Sequence, residues 1–189
     1  MSLSIDATTT AIVTLPEVLR QANVPADADG RQLAELDMMR EAAQEVVEGI
    51  VGPVLWRTVT DTVQAYGGLA VLGTRPVVSI TSVTDSNSTA VTFTTTGTAG
   101  VLTGLGRWLS GRNLTVSYVA GRTSCPTAIR LATLIIAVHL WQTQLGNTPA
   151  AGALPVEQPL DGTQIIAGYA IPNRAIELLA PYRLPAGIA

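Results

Sequence analysis

The side chains with the most chemistry to offer are few and far apart. The chain has one histidine, His139, and one cysteine, Cys125. A general base or a thiolate nucleophile needs a neighbour that tunes it. His139 stands between Val138 and Leu140, and no Asp or Glu falls between positions 122 and 156. Cys125 precedes Pro126 with no activating base beside it. Both are read as packed side chains. A single Cys and a single His also exclude an internal disulfide, a multi-cysteine metal site and a histidine cluster. All 11 basic residues are Arg. The lack of Lys excludes a Walker-type phosphate loop and a Schiff base. The glycines around 67–73 and 100–106 do not open a helix after a strand, so they are read as turns and not as a dinucleotide loop. The expectation is a chain with no catalytic residue, no metal and no cofactor.

The remaining charged groups suggest binding. Arg107, Arg112 and Arg122 bracket a β-like segment, with Trp108 beside the first. Arginine and an aromatic ring can grip phosphates, stack, or meet a protein. These three are the candidates for lining a channel or touching a partner. Glu35, Asp37, Glu41, Glu45 and Glu48 crowd one helical stretch. None is set apart by an apolar environment, so no acid–base pair is implied. Residues 1–50 carry nine acids and three arginines, a balance of −6, and residues 51–189 carry five acids and eight arginines, a balance of +3. An acidic front and a basic remainder can attract each other between neighbouring copies. Alternatively, the acids solvate one helix face. Only 13% of residues are charged and 47% are hydrophobic. That argues against disorder and suits a neutral surface packed against other subunits.

The elements that must position these groups follow from pattern. A chain of 189 residues fits one domain, able to bury roughly 70% of its unfolded surface. Thr14, Pro16 and Glu17 predict the start of a short helix with Leu15, Val18, Leu19 and Ala22 on its apolar face. Positions 23–30 read as a turn. A longer helix over 29–49 carries Leu33, Leu36, Ala43, Val46, Val47 and Ile50 near helical spacing. Its acids at Glu45 and Glu48 oppose the helix dipole, which calls for water, a nearby arginine or a partner. From 56 to 120 the grammar changes to short alternating runs. Strands are expected over 58–66, 69–72, 77–84, 90–94, 100–103 and 114–119, with a hairpin turn at Gly67-Gly68 and a polar loop tip at 85–89. Helix returns at Pro126. Positions 129–145 are apolar on nearly every side, which predicts a buried central helix. A mobile Pro-rich loop is expected over 147–163, then a last helix over 173–179 ending at Pro181. The fold class is therefore α+β: a small helical bundle around a buried central helix, with a β-rich insertion forming an antiparallel sheet or small sandwich. The four parts run over 14–53, 56–120, 126–145 and 146–189 within a single domain. The apolar run from 131 to 141 is about half of what a bilayer span needs, and no basic-then-apolar leader opens the chain. A soluble protein made in a cytoplasm is expected.

Read in order, several segments resemble a known family. They are Leu15-Pro16-Glu17-Val18-Leu19 followed by an Asp-rich turn and a long helix ending near Glu48-Gly49; Arg75-Pro76-Val77-Val78-Ser79-Ile80-Thr81-Ser82-Val83; and Leu114-Thr115-Val116-Ser117-Tyr118-Val119-Ala120-Gly121, then Pro126, Ile129-Arg130-Leu131-Ala132 and His139-Leu140-Trp141. The combination, with Ala180-Pro181-Tyr182-Arg183 at the end, resembles the head–tail connector (adaptor) proteins of long-tailed bacteriophages and gene transfer agents. The resemblance covers most of 14–145. It implies a non-enzymatic virion protein of the neck, between capsid and tail, made in the cytoplasm of a bacterial host. Members form a homo-oligomeric ring, usually of twelve copies, beneath the portal protein. The ring extends the DNA channel and gives a platform to a stopper or tail-terminator protein. Contact with passing double-stranded DNA should be transient and non-specific, and no membrane is involved. Within this reading, residues 173–189 are expected to dock on the portal through Leu178, Leu179, Tyr182 and Leu184, which lie beyond the expected core. A tail-completion or minor tail protein is the alternative. A carbohydrate-binding β module would want more exposed aromatics than the eight this chain has in all.

Overall fold

The computed structural model describes residues 3–95, 97–145 and 171–183. Its elements run β1 (Leu3–Ser4), α1 (Leu15–Ala22), α2 (Gly30–Val51), β2 (Arg57–Gln64), β3 (Ala70–Val71), β4 (Val77–Thr84), β5 (Thr94–Thr95), β6 (Val101–Thr103), β7 (Asn113–Ala120), β8 (Ser124–Cys125), α3 (Thr127–Leu145) and α4 (Asn173–Leu179). Short 3-10 turns cover Gly97–Ala99, Arg107–Leu109 and Ala180–Tyr182. The class is α+β, as the patterning requires. The loop expected over 147–163 and the tail from Leu184 onward lie outside the described residues.

The helical body begins where the sequence says it should. The Glu17 carboxylate accepts hydrogen bonds from the Thr14 backbone N–H at 2.9 Å and the Thr14 hydroxyl at 3.1 Å, pinning the first turn of α1. Asn23, with φ 55°, closes that helix in the left-handed conformation. The helix α2 buries Leu36, Met39, Ala43, Val47 and Val51, at steps of three and four residues. It runs past Gly49, which faces open space, and stops at Gly52 and Pro53.

Helix α3 packs against α1, α2 and α4, so it is the central element. Its burial differs in degree from the expectation. Ile129, Ala132, Thr133, Ile136, Ala137 and Trp141 are buried, whereas Leu131, Leu134, Ile135 and Val138 are only half-buried. Three neighbouring helices cover one broad face of a helix, not its circumference. Thr133 is tolerated in the core because its hydroxyl donates to the Ile129 carbonyl at 2.9 Å. An ion pair from Arg130 to Glu17 joins α3 to α1.

The β elements form two three-stranded antiparallel sheets, ordered β2-β7-β4 and β3-β6-β5. Strand β7 alternates strictly, burying Leu114, Val116, Tyr118 and Ala120. These meet Ala70, Leu72 and Leu102 from the other sheet in one apolar cluster. Expected and observed strands agree closely except near 90–94. There Ala90 still pairs with Thr84, but the strand proper is Thr94–Thr95 against β6. The segment crosses from one sheet to the other, so its alternation serves two surfaces. The β1–β8 ribbon, two residues on each side, was outside what pattern foresaw. A second apolar cluster belongs to the helical body.

The two clusters meet at a narrow joint. Glu48 reaches past the end of α2, accepts from the Val54 and Leu55 N–H groups at 2.8 and 3.0 Å, and pairs with Arg57 at the start of β2. A nearby arginine and two backbone donors thus resolve the acid at the helix C-terminus. On the return path Arg122 N–H donates to the Val54 carbonyl at 3.1 Å, and the Trp56 indole donates to the Arg122 carbonyl at 2.8 Å. Gly121, at φ 140°, lies so close that a Cβ there would sit 2.8 Å from the Leu55 carbonyl oxygen.

Candidate functional site

The two reactive side chains are locked in place. Cys125 is fully buried in the helical core, and burial pushes its thiol up to about 11. At neutral pH it is a protonated thiol, unsuited to nucleophilic attack. His139 is half-buried on α3, its Nε2 shut away from solvent without a hydrogen-bond partner among the described residues. Among the described residues no group of three potential metal ligands comes together. No described helix is long and apolar enough to cross a membrane.

A half-buried polar cluster around Tyr118 in the β unit is structural. The Tyr118 hydroxyl donates to Asp61 and accepts from the Thr74 N–H at 3.1 Å, while Asp61 also accepts from the Gly73 N–H at 3.2 Å. Burial, then the Asp61 carboxylate, raises the Tyr118 pKa. The cluster ties β2 and β7 to the turn before β4.

The arginine trio is divided. Arg107 and Arg112 are exposed beside the 107–109 turn, at the end of β7 remote from the helical body. Arg122 lies beyond the opposite end of β7, about 30 Å away at strand spacing. Its guanidinium donates to the Val51 carbonyl at 3.0 Å and the Tyr182 carbonyl at 3.3 Å. Burial lowers its pKa. Arg122, half-buried, therefore clasps α2 to the turn after α4, apart from the other two arginines. An eight-residue strand separates groups that sequence spacing had seemed to gather.

The expected portal-docking residues are likewise separated. Leu179 is 0% exposed and packs with Ala175 in the helical core. Leu178 and Tyr182 are half-buried against the same cluster. Leu184 lies outside the described residues. Helix α4 is thus part of the core and not an appendage beyond it, because its Ala175 and Leu179 face α3. Leu179 has no free side chain to offer a partner in this packing.

One feature escaped the sequence reading. Tyr66, Leu69, Val71 and Trp108 are all exposed and lie at one end of the β unit. Tyr66 and Leu69 exchange backbone hydrogen bonds across the Gly67-Gly68 turn at 2.8 and 2.9 Å. The 104–111 loop lies alongside: Leu105 N–H donates to the Gly68 carbonyl at 3.2 Å, and Gly67 N–H donates to the Ser110 hydroxyl at 3.3 Å. The Trp108 ring lies over Gly106, with the Arg112 guanidinium 5.6 Å from its centroid. Paired glycines at 67–68 and 104–106 were the available signal, but glycines announce a turn and not what the turn exposes.

No protein-family model matches this chain, and no curated protein matches it. Solved structures do match. A chain in the neck of an empty gene transfer agent particle, computed with C6 symmetry, is 18% identical, with 100% of both chains covered and a TM-score of 0.63. A chain in the virion of a native gene transfer agent particle is 16% identical over 97% of both chains, with a TM-score of 0.60. A chain in the neck of a native particle, computed with C12 symmetry, is 17% identical over 100% of both chains, with a TM-score of 0.55. The likeness is one of fold, and it runs from end to end.

Proposed function

We propose that this chain is a head–tail adaptor, a structural subunit of the neck of a phage-like particle. The observation that carries the reading is the end-to-end fold match to chains of gene transfer agent necks and virions. The low charge and the exposed apolar end of the β unit support it, since both suit a subunit that works among others. In this reading twelve copies form a ring beneath the portal, extend the DNA channel, and carry the stopper or tail-terminator protein. The segment 173–189 docks on the portal through Leu178, Tyr182 and Leu184. Passing duplex DNA is contacted weakly and in a salt-sensitive way.

The test is the native mass of the protein mixed with the portal ring from its own gene cluster. Twelve subunits of 19.7 kDa add about 236 kDa if a symmetric ring closes on the portal. A competent portal that takes up no mass overturns the adaptor role and moves the chain to the tail side, as a tail-completion or minor tail protein. Tight duplex binding by the single chain that resists salt would also count against an adaptor.

A further inference from the structure

Among the described residues, five large apolar side chains stand exposed: Met38, Tyr66, Leu69, Val71 and Trp108. Four belong to the end of the β unit and one to α2. We infer that the β-unit tip of one copy docks on the exposed α2 face of the next copy, with Trp108, Tyr66 and Leu69 seated around Met38. This inference rests on the ring reading and supplies its subunit contact.

The two surfaces complement each other. At the tip, Trp108 is 64% and Tyr66 64% exposed. Arg107 and Arg112, both exposed, rim the patch. On α2, Ala34, Met38, Glu41 and Glu45 share one exposed face, at steps of four, three and four residues. Met38 is 56% exposed. Between positions 31 and 45 four acids face two arginines, a balance of −2. Arg31 pairs with Glu35, and Arg40 pairs with Asp37 and Glu41. Glu45 has no partner among the described ion pairs and is the acid best placed for Arg107. A flexible thioether against aromatic rings, rimmed by opposite charges, fits the anatomy of a protein contact.

Other occupants fit less well. A chain cannot satisfy itself, because the tip lies at the far end of β2 from the Arg57–Glu48 pair, eight residues or about 26 Å along the strand. Duplex DNA would use arginines, but Arg112 lies over the Trp108 ring, and three apolar side chains have no use on a phosphate backbone. The pairing joins two different patches, which is the contact type that closes rings.

The test is cross-linking within the portal-bound complex. A chain carrying both Met38→Cys and Leu69→Cys should give a ladder of multimers with a short bismaleimide, while each single variant stays monomeric. Native Cys125 is buried and does not react. Trp108→Ala should weaken ring assembly about 30-fold, the loss expected for an interface aromatic anchor. Arg107→Glu should weaken it too, and adding Glu45→Arg should restore it. All these positions are exposed, so unchanged melting confirms that the variants fold. Double-cysteine chains that load onto the portal yet give no ladder overturn the inference while leaving the adaptor reading intact. If no chain loads, the adaptor reading fails, and the ladder is sought in concentrated free protein; its absence there overturns the inference as well.

Discussion

Leu178 and Leu179 are neighbours in sequence with different burial, and exchanging each for alanine separates them. They point about 100° apart on α4. Leu179 is fully buried beside Ala175. Removing a buried leucine side chain costs about 2–5 kcal/mol, including the cavity left behind. For a chain of this length each kcal/mol shifts the melting point by about 2–4 °C, so a mid-range 3 kcal/mol corresponds to about 6–12 °C. Leu178 is half-buried and should cost about 1 kcal/mol, or about 2–4 °C. The assay is urea denaturation followed by circular dichroism, with the slope unchanged and only the midpoint moved. If 173–189 docks on the portal as proposed, native mass should give the reverse order: Leu178→Ala weakens portal uptake despite its smaller stability cost, whereas Leu179→Ala acts only through folding. A Leu179→Ala variant within about 0.5 kcal/mol of the parent would refute the placement of α4 in the cooperative core. It would also return Leu179 to the set of docking anchors.

Three further outcomes follow from the same geometry. Arg122→Ala should cost about 1.5–3 kcal/mol, the worth of charged hydrogen bonds to the Val51 and Tyr182 carbonyls, and Arg122→Lys should recover only part of it, read by urea midpoints. For Glu17, burial alone would raise the carboxyl pKa, but the bonds from Thr14 and the Arg130 charge outweigh burial and hold it below its ordinary range. The unfolded chain then binds more protons, so this stability is present above the ordinary carboxylate pKa and is lost as pH falls through the depressed one; Glu17→Gln should be less stable than the parent at neutral pH and equal to it in strong acid. With its thiol near 11, Cys125 is thiolate on the order of one part in a thousand at pH 8, so disulfide-reagent labelling should proceed at the unfolding rate, and a fast native phase would contradict the burial.

The helices were legible because their signals are local. Thr14, Pro16 and Glu17 form a cap within four residues, and Gly52-Pro53 end α2 by their own backbone limits. Strand β7 was legible because Leu114, Val116, Tyr118 and Ala120 follow the period of the element itself. What stayed hidden depends on neighbours. Leu179 reads as a spare apolar residue until α3 is placed beside it. Arg107, Arg112 and Arg122 read as a cluster because sequence distance ignores that an extended strand carries its ends far apart. The Glu48 carboxylate reads as a fault at a helix end until the chain turns back and brings Arg57 to it. The apolar tip was silent for a related reason, since the alternation that marks a strand does not tell which face the other sheet will cover.

The joint at Gly121 has a consequence for how such a protein varies. The chain leaves the helical body at Val54 and Leu55 and returns to the same spot at Gly121 and Arg122, where the two paths touch. Whatever lies between is hung from one doorway. The gap across it is closed by a single backbone hydrogen bond, so a short turn could bridge it and leave the body's own core unbroken. The whole 57–120 segment can therefore be lengthened, trimmed or traded without renegotiating the helices, and a chimera carrying a foreign β unit on this frame should keep the helical body folded.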